Sequence, residues 1–176
     1  FINGNPVNVF SWACFLVAYS RWGANLPSGS LAEIPAYGFL GRRDVLVDLG
    51  ADLPVLLSDG EAFNRVLRKK QIRCAFVPIA HIDHINLEGA RTSLHEHFLL
   101  GIAIGAQRAK EWGWPVRLVY LAGSWLLPFL LMARTWHGVR PLLATKRVPI
   151  LTVPAMLLIF GAKAVGEMSG YAGLGR

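Results

Sequence analysis

Charged side chains are scarce in this sequence. They make up 16% of its 176 residues, where an ordinary soluble domain has about a quarter. Hydrophobic residues reach 53% and the mean hydropathy is +0.40, which excludes a simple water-soluble globule as the whole account. Acidic side chains all but vanish after Glu111: residues 112–176 hold Glu167 alone against Arg117, Arg134, Arg140, Lys146, Arg147, Lys163 and Arg176. The net charge of +7 therefore divides into +1 over residues 1–111 and +6 over the greasiest part of the chain. Basic charge set in apolar sequence points to anionic lipid head groups. It points away from nucleic acid, which needs that charge on a soluble face beside exposed aromatics. Cysteine is almost absent. Cys14 and Cys74, both inside apolar runs, leave no disulfide framework and no zinc–thiolate spacing, and read as buried thiols. There is no internal repeat and no low-complexity tract. The three methionines, Met132, Met156 and Met168, all lie late, and the chain reads as the later part of a longer polypeptide.

What is present is organised around Leu56 to Asn86. Ser58-Asp59-Gly60-Glu61 has the S-x-x-E form of a helix-capping box. Ala62, Phe63, Val66 and Leu67 then share one helical face, while Arg65, Arg68, Lys69 and Lys70 take the other, the late cations suiting the negative end of the helix dipole. Cys74 to Val77 reads as a short strand that Pro78 helps to end, followed by a polar tip with His81 and His84. A carboxylate at a helix entrance and an imidazole beyond a strand end are thus expected near one site.

Around this centre, Val7 to Tyr19 is long enough for a buried helix, and Ser20 to Gly41 is a Gly- and Pro-punctuated loop anchored by aromatics. Arg42 opens a short helix through Leu49, closed by Gly50. After a loop from Leu87 to Arg91, Thr92 or Ser93 is placed to cap a long helix reaching about Trp112, where the domain boundary is drawn. Residues 113–176 are expected to form a hydrophobic helical hairpin. Its arms are Leu118–Ala133 and Val148–Ala162, kinked by Pro128 and Pro154 and joined by the basic connector Arg134–Arg147. Both arms fall short of the roughly 20 residues of a perpendicular span. Two full spans would also put the basic connector opposite a cytosolic domain, against the positive-inside tendency, so a re-entrant or in-plane hairpin is favoured over a spanning one.

The order of features resembles the C-terminal half of a membrane-associated family 2 glycosyltransferase with a GT-A fold. The resemblance rests on Ser11-Trp12, on Ile34-Pro35-Ala36-Tyr37-Gly38 with Arg42-Arg43, and on Asp59-Gly60-Glu61. It continues through Pro78-Ile79-Ala80 with His84-Ile85-Asn86, Gly101 with Arg108-Ala109, and Gly166-Glu167-Met168-Ser169-Gly170-Tyr171. It runs in order over nearly the whole chain and departs from the family pattern at Gly38, Ala62 and Ile102. It implies an α/β fold, a partial GT-A catalytic domain over residues 1–112, followed by the membrane hairpin. It also implies inverting transfer of a sugar from a nucleotide-sugar donor to a glycan or lipid-linked acceptor hydroxyl at the cytoplasmic face of a membrane. A divalent cation, Mg or Mn, would be held in the full-length protein by an upstream D-x-D that this chain lacks, so the isolated chain is expected to be inactive.

On that reading Glu61 is the base that takes the acceptor proton, alongside its capping role. His84 would orient a phosphate or touch the metal, or else make a structural hydrogen bond. Arg42 and Arg43 would meet diphosphate oxygens bidentately, and Tyr37 would pack against the acceptor. Glu167, costly in an oily tail, is expected to pair with Lys163 four residues earlier. Two other readings stand beside this one. A non-catalytic membrane-anchoring or assembly module would need only the hairpin. A His-based metalloenzyme would use His81, His84, His95 and His97, although H-E-H lacks the H-E-x-x-H geometry of a zinc hydrolase.

Overall fold

The computed structural model describes residues 1–22, 28–35, 38–50, 53–58, 60–77 and 79–173. In chain order the elements are β1 (Ile2–Asn3), α1 (Val9–Tyr19), β2 (Gly29–Leu31), α2 (Arg43–Asp48), α3 (Leu53–Ser58) and α4 (Gly60–Lys69). They continue with β3 (Cys74–Phe76), β4 (Asp83–His84), α5 (Ala90–Glu111), α6 (Trp114–Gly123), α7 (Leu127–Ala144) and α8 (Thr152–Tyr171). Helix accounts for 68% of the structure and strand for 6%. The expected α/β, GT-A-type domain is therefore not what this chain forms. The described strands have two or three residues each and pair only as two-stranded ladders, β1 with β4 and β2 with β3, too short and too few to make the sheet of such a domain.

The chain divides into two compact units, residues 1–2 with 22–82 and residues 3–21 with 83–176. In the first, β2 and β3 run antiparallel with Gly29 opposite Phe76 and Leu31 opposite Cys74. A small core of Leu49, Phe63 and Leu67 gathers Ile34, Phe39, Leu46 and Ile72 around it. The apolar face expected for α4 is the one that is buried. The helix starts at Gly60, Ser58 belongs to the preceding helix, and Asp59 lies outside the described residues. It closes with Gln71 at φ +55°, while the Ile72 N–H reaches back to the Leu67 carbonyl at 2.9 Å, a Schellman-type stop. Gly50 follows α2 at φ +68°, the left-handed position expected of it.

The second unit is a helical bundle whose centre is α8. Ala155, Met156, Ile159, Phe160 and Tyr171 of that helix are buried. The helix α8 therefore does not serve as the outer arm of a hairpin, although it contains most of the second apolar run. Its main neighbour is α5, which stands N-terminal of Trp112 in the sequence, and the two helices run parallel. Their contact is made by glycines at four-residue spacing. A Cβ on Gly101 or Gly105 would overlap the Lys163 or Glu167 carbonyl oxygen, and one on Gly166 would overlap that of Phe98. Small residues that let two backbones touch are the usual device of helices in apolar surroundings.

Between α5 and α8 the chain returns through α6, a single 3-10 turn at Ser124–Leu126, and α7. Residues Trp114–Ala144 are long and apolar enough to cross a membrane: the most apolar 18 residues among them have mean hydropathy 1.7, and only 6% of those are buried. Most of the expected basic connector lies within α7. Pro128 and Pro154 occupy the first turns of α7 and α8, where a missing N–H breaks no helical bond, so neither makes the expected kink; the proline inside a helix is Pro141. The N-terminus of α5 is set by Gly89, with Ala90 first in the helix. Ser93 is not its cap; it is buried against the Cys14 thiol at 3.3 Å.

Candidate functional site

The residues singled out by the sequence fall in both units. In the first, Glu61 is exposed in the opening turn of α4, where a carboxylate meets the positive end of the helix dipole. One turn on, Asn64 is 7% exposed and fully engaged. Its Oδ1 accepts the Ile34 N–H at 2.9 Å, and its amide donates to the Ile34 carbonyl at 2.8 Å and to the Gly60 carbonyl at 2.7 Å. Asn64 thus fixes the Ile34-Pro35 loop to the turn that carries Glu61. A polar amide on the apolar face of α4 was the sequence signal for this clamp, and it was missed. Tyr37 lies outside the described residues.

Arg42 precedes α2 and is held by Asp44, with Nε at 3.1 Å from one carboxylate oxygen and Nη2 at 2.5 Å from the other. That bidentate bond holds the Asp44 carboxyl below the usual carboxylate range and pushes the Arg42 guanidinium up. Binding a diphosphate would require Arg42 to exchange Asp44 for it. Arg43 is exposed in the first turn of α2. Arg42, but neither Arg43 nor Glu61, lines a cleft of about 530 Å³ walled by Phe39, Phe63, Leu67 and Phe76. Arg73 shares that lining, exposed and with no side-chain partner among the described residues. Cys74 in the same wall is half-buried rather than buried, and burial pushes its thiol up.

His84 belongs to the second unit, in a knot of asparagines. The Asn86 amide donates to Asn3 Oδ1 and to the His84 carbonyl, both at 2.9 Å, and the Asn86 N–H donates to Asn5 Oδ1 at 2.7 Å. The His84 ring lies tilted against that of Tyr19, with centroids 4.5 Å apart, and its Nδ1 sits 2.9 Å from Asn86 Oδ1. An amide oxygen cannot donate, so Nδ1 carries the proton and Nε2 is the remaining ring nitrogen. Among the described residues no three His, Cys, Asp or Glu side chains converge on a metal-sized site. His95 is exposed, while His97 is turned back to the Ser93 carbonyl at 2.8 Å.

Glu167 is paired, across to α5. Its carboxylate accepts from Arg108 Nη1 at 3.0 Å and from the Tyr171 hydroxyl at 3.0 Å, and Arg108 also reaches that hydroxyl at 3.2 Å. The expected partner, Lys163, is replaced in this role by Arg108, because close glycine packing brings the guanidinium to the carboxylate. Trp112 covers the group, its ring 5.9 Å from that of Tyr171 and 5.8 Å from the Arg108 guanidinium carbon. Comparison with protein-family models, with curated proteins and with solved structures gave no match.

Proposed function

We propose that this chain is the acceptor-side, membrane-associated portion of an inverting glycosyltransferase, which moves a sugar from a nucleotide-sugar donor to an acceptor hydroxyl at the cytoplasmic face. One observation supports the reading: the later motifs of the ordered set, His84-Ile85-Asn86, Gly101 with Arg108, and Gly166-Glu167 with Gly170-Tyr171, fall at hydrogen-bonded or closely packed positions. Asn86 and His84 form the centre of the polar knot. Gly101, Gly166 and Gly170 lie in the close contact of α5 with α8, where Glu167 pairs with Arg108 and accepts from the Tyr171 hydroxyl. The apolar, exposed stretch Trp114–Ala144 supports the membrane association.

In the reaction the acceptor hydroxyl loses its proton as its oxygen attacks the anomeric carbon from the face opposite the leaving nucleotide. Glu61 takes that proton, and a positioned carboxylate base contributes about two to four orders of magnitude. Asn64 holds the neighbouring loop in register with it. Arg73 offers an exposed guanidinium beside the cleft for an anionic group on the substrate. The donor half of the site, with its D-x-D, is assigned to sequence outside these residues.

The experiment is transfer from radiolabelled nucleotide sugars in membranes carrying the product of the intact gene, with the anomeric configuration of the product read by NMR. Label moved into an acceptor with inversion is the expected result; retention, or no transfer above control membranes, overturns the reading. A second reading is favoured by one fact: Asn86, Arg108, Glu167 and Tyr171 all have structural partners, as a non-catalytic membrane-assembly module would require. It predicts wild-type membranes with no transfer from any donor.

A further inference from the structure

The path of the chain through the second unit places its basic groups. α5 and α8 run parallel, and α6 and α7 lead back from the Trp112–Tyr171 end to the start of α8. The C-terminal end of α7, the N-terminal end of α8 and the N-terminal end of α5 therefore share one end of the bundle. The C-terminal half of α7 also touches α1 there: a Cβ on Gly138 would overlap the Ser20 carbonyl oxygen, and Cys14 of α1 bonds Ser93 of α5. At this end Arg140, Lys146 and Arg147 are exposed, and none has a hydrogen-bonding or ion-pair partner for its side chain among the described residues. The segment from residue 112 to residue 166 has no acidic side chain to neutralise them.

The opposite character precedes them along the same segment. Trp125, Phe129 and Leu130 are 65%, 61% and 62% exposed. The run from Trp114 to Ala133 is about 30 Å long as helix, and it carries a single charge, Arg117. That guanidinium is spent on the backbone, donating to the Trp112 and Ala109 carbonyls at the end of α5. Trp136, 40% exposed and one turn before Arg140, is the amphipathic residue type that settles between acyl chains and head groups.

We propose that Arg140, Lys146 and Arg147 form a docking site for anionic phospholipid head groups, with Trp136 at the interface and the exposed residues of α6 and α7 among the acyl chains. The proposal rests on the membrane association above and names its lipid partner. Most of the basic connector lies in α7, which returns it to the end of the bundle where α5 and α8 begin.

The test is cell-free synthesis of the full chain beside preformed vesicles of phosphatidylcholine, or of phosphatidylcholine with one-third phosphatidylglycerol, followed by flotation at limiting lipid. A basic side chain at an anionic surface contributes about fivefold to partitioning, so the anionic vesicles should capture the chain on the order of a hundredfold better. Raised salt should shrink that preference, and the R140Q/K146Q/R147Q variant should abolish it. The R140K/R147K variant, which keeps the charge, should retain it and so separates charge from folding. Equal capture by both vesicles, or a preference that survives the triple variant, overturns the site while leaving the membrane association standing. Flotation with neither vesicle overturns both.

Discussion

Asn64 shows how much a single side chain can organise in a unit with so small a core. Its amide satisfies both backbone groups of Ile34 and also reaches the Gly60 carbonyl, so its loss leaves the Ile34 N–H and carbonyl without this partner. An unsatisfied buried group costs about 1–3 kcal/mol, and Asn64→Ala should lower the stability of the chain by at least that, read by thermal unfolding in detergent. On the proposed function the clamp supports the turn bearing Glu61, so sugar transfer by the product of the intact gene should fall as well, whereas substitution of exposed Arg65 should leave stability unchanged. Cys74 offers a second reading at this scale. Burial favours its neutral thiol, so the reactive thiolate appears only at higher pH than in a free cysteine, whose ordinary value is 9.0. Alkylation of Cys74 by iodoacetamide, followed by peptide mass mapping, should therefore reach half its maximal rate at a higher pH in the folded chain than in the denatured one. Coincident profiles would show that the wall of the cleft is open to water.

At the scale of elements the second unit depends on two helices whose backbones touch. A side chain at Gly105 would have to displace the Glu167 carbonyl, and one at Gly170 the Ile102 carbonyl. Forcing atoms into a packed contact costs roughly 1–3 kcal/mol even when neighbours adjust, and here the obstructing atoms are backbone. Gly105→Val should therefore part α5 from α8 and release Glu167 from Arg108. The loss should appear as a lower unfolding temperature, while Gly161→Ala, facing open space on α8, should leave it unchanged or raise it slightly. Much of this scale was legible in the sequence. The apolar periodicity of α4, the left-handed glycine after α2 and the span of α1 all follow from local rules that act over a few residues. The close helix pair was not read, although glycines four apart at 101 and 105, and at 166 and 170, were its signal. Missing it misassigned both the partner of Glu167 and the place of α8, since an apolar run looks the same whether lipid or another helix covers it.

At the scale of the whole molecule the expected α/β architecture gave way to short ladders and a helical bundle. A sheet depends on pairing between distant strands, and one apolar triplet such as Cys74–Phe76 says nothing about how many partners it will find. The candidate site was legible in part. Glu61 stands in the first turn of a helix as expected, Arg42 lines a cleft, and His84 is oriented by Asn86. The partners Asp44 of Arg42 and Asn86 of His84 stand only two residues away, but their pairing was not read, because side-chain pairing leaves no periodic trace. The claim that joins these parts is that Glu61 removes a proton from a sugar acceptor. The most direct measurement compares the turnover of wild-type and Glu61→Gln enzyme, made from the intact gene in native membranes, at saturating nucleotide sugar. The amide keeps the shape and cannot accept the proton, so turnover should fall by about a hundredfold or more with the membrane-bound amount unchanged. Equal turnover in the two enzymes would contradict the account.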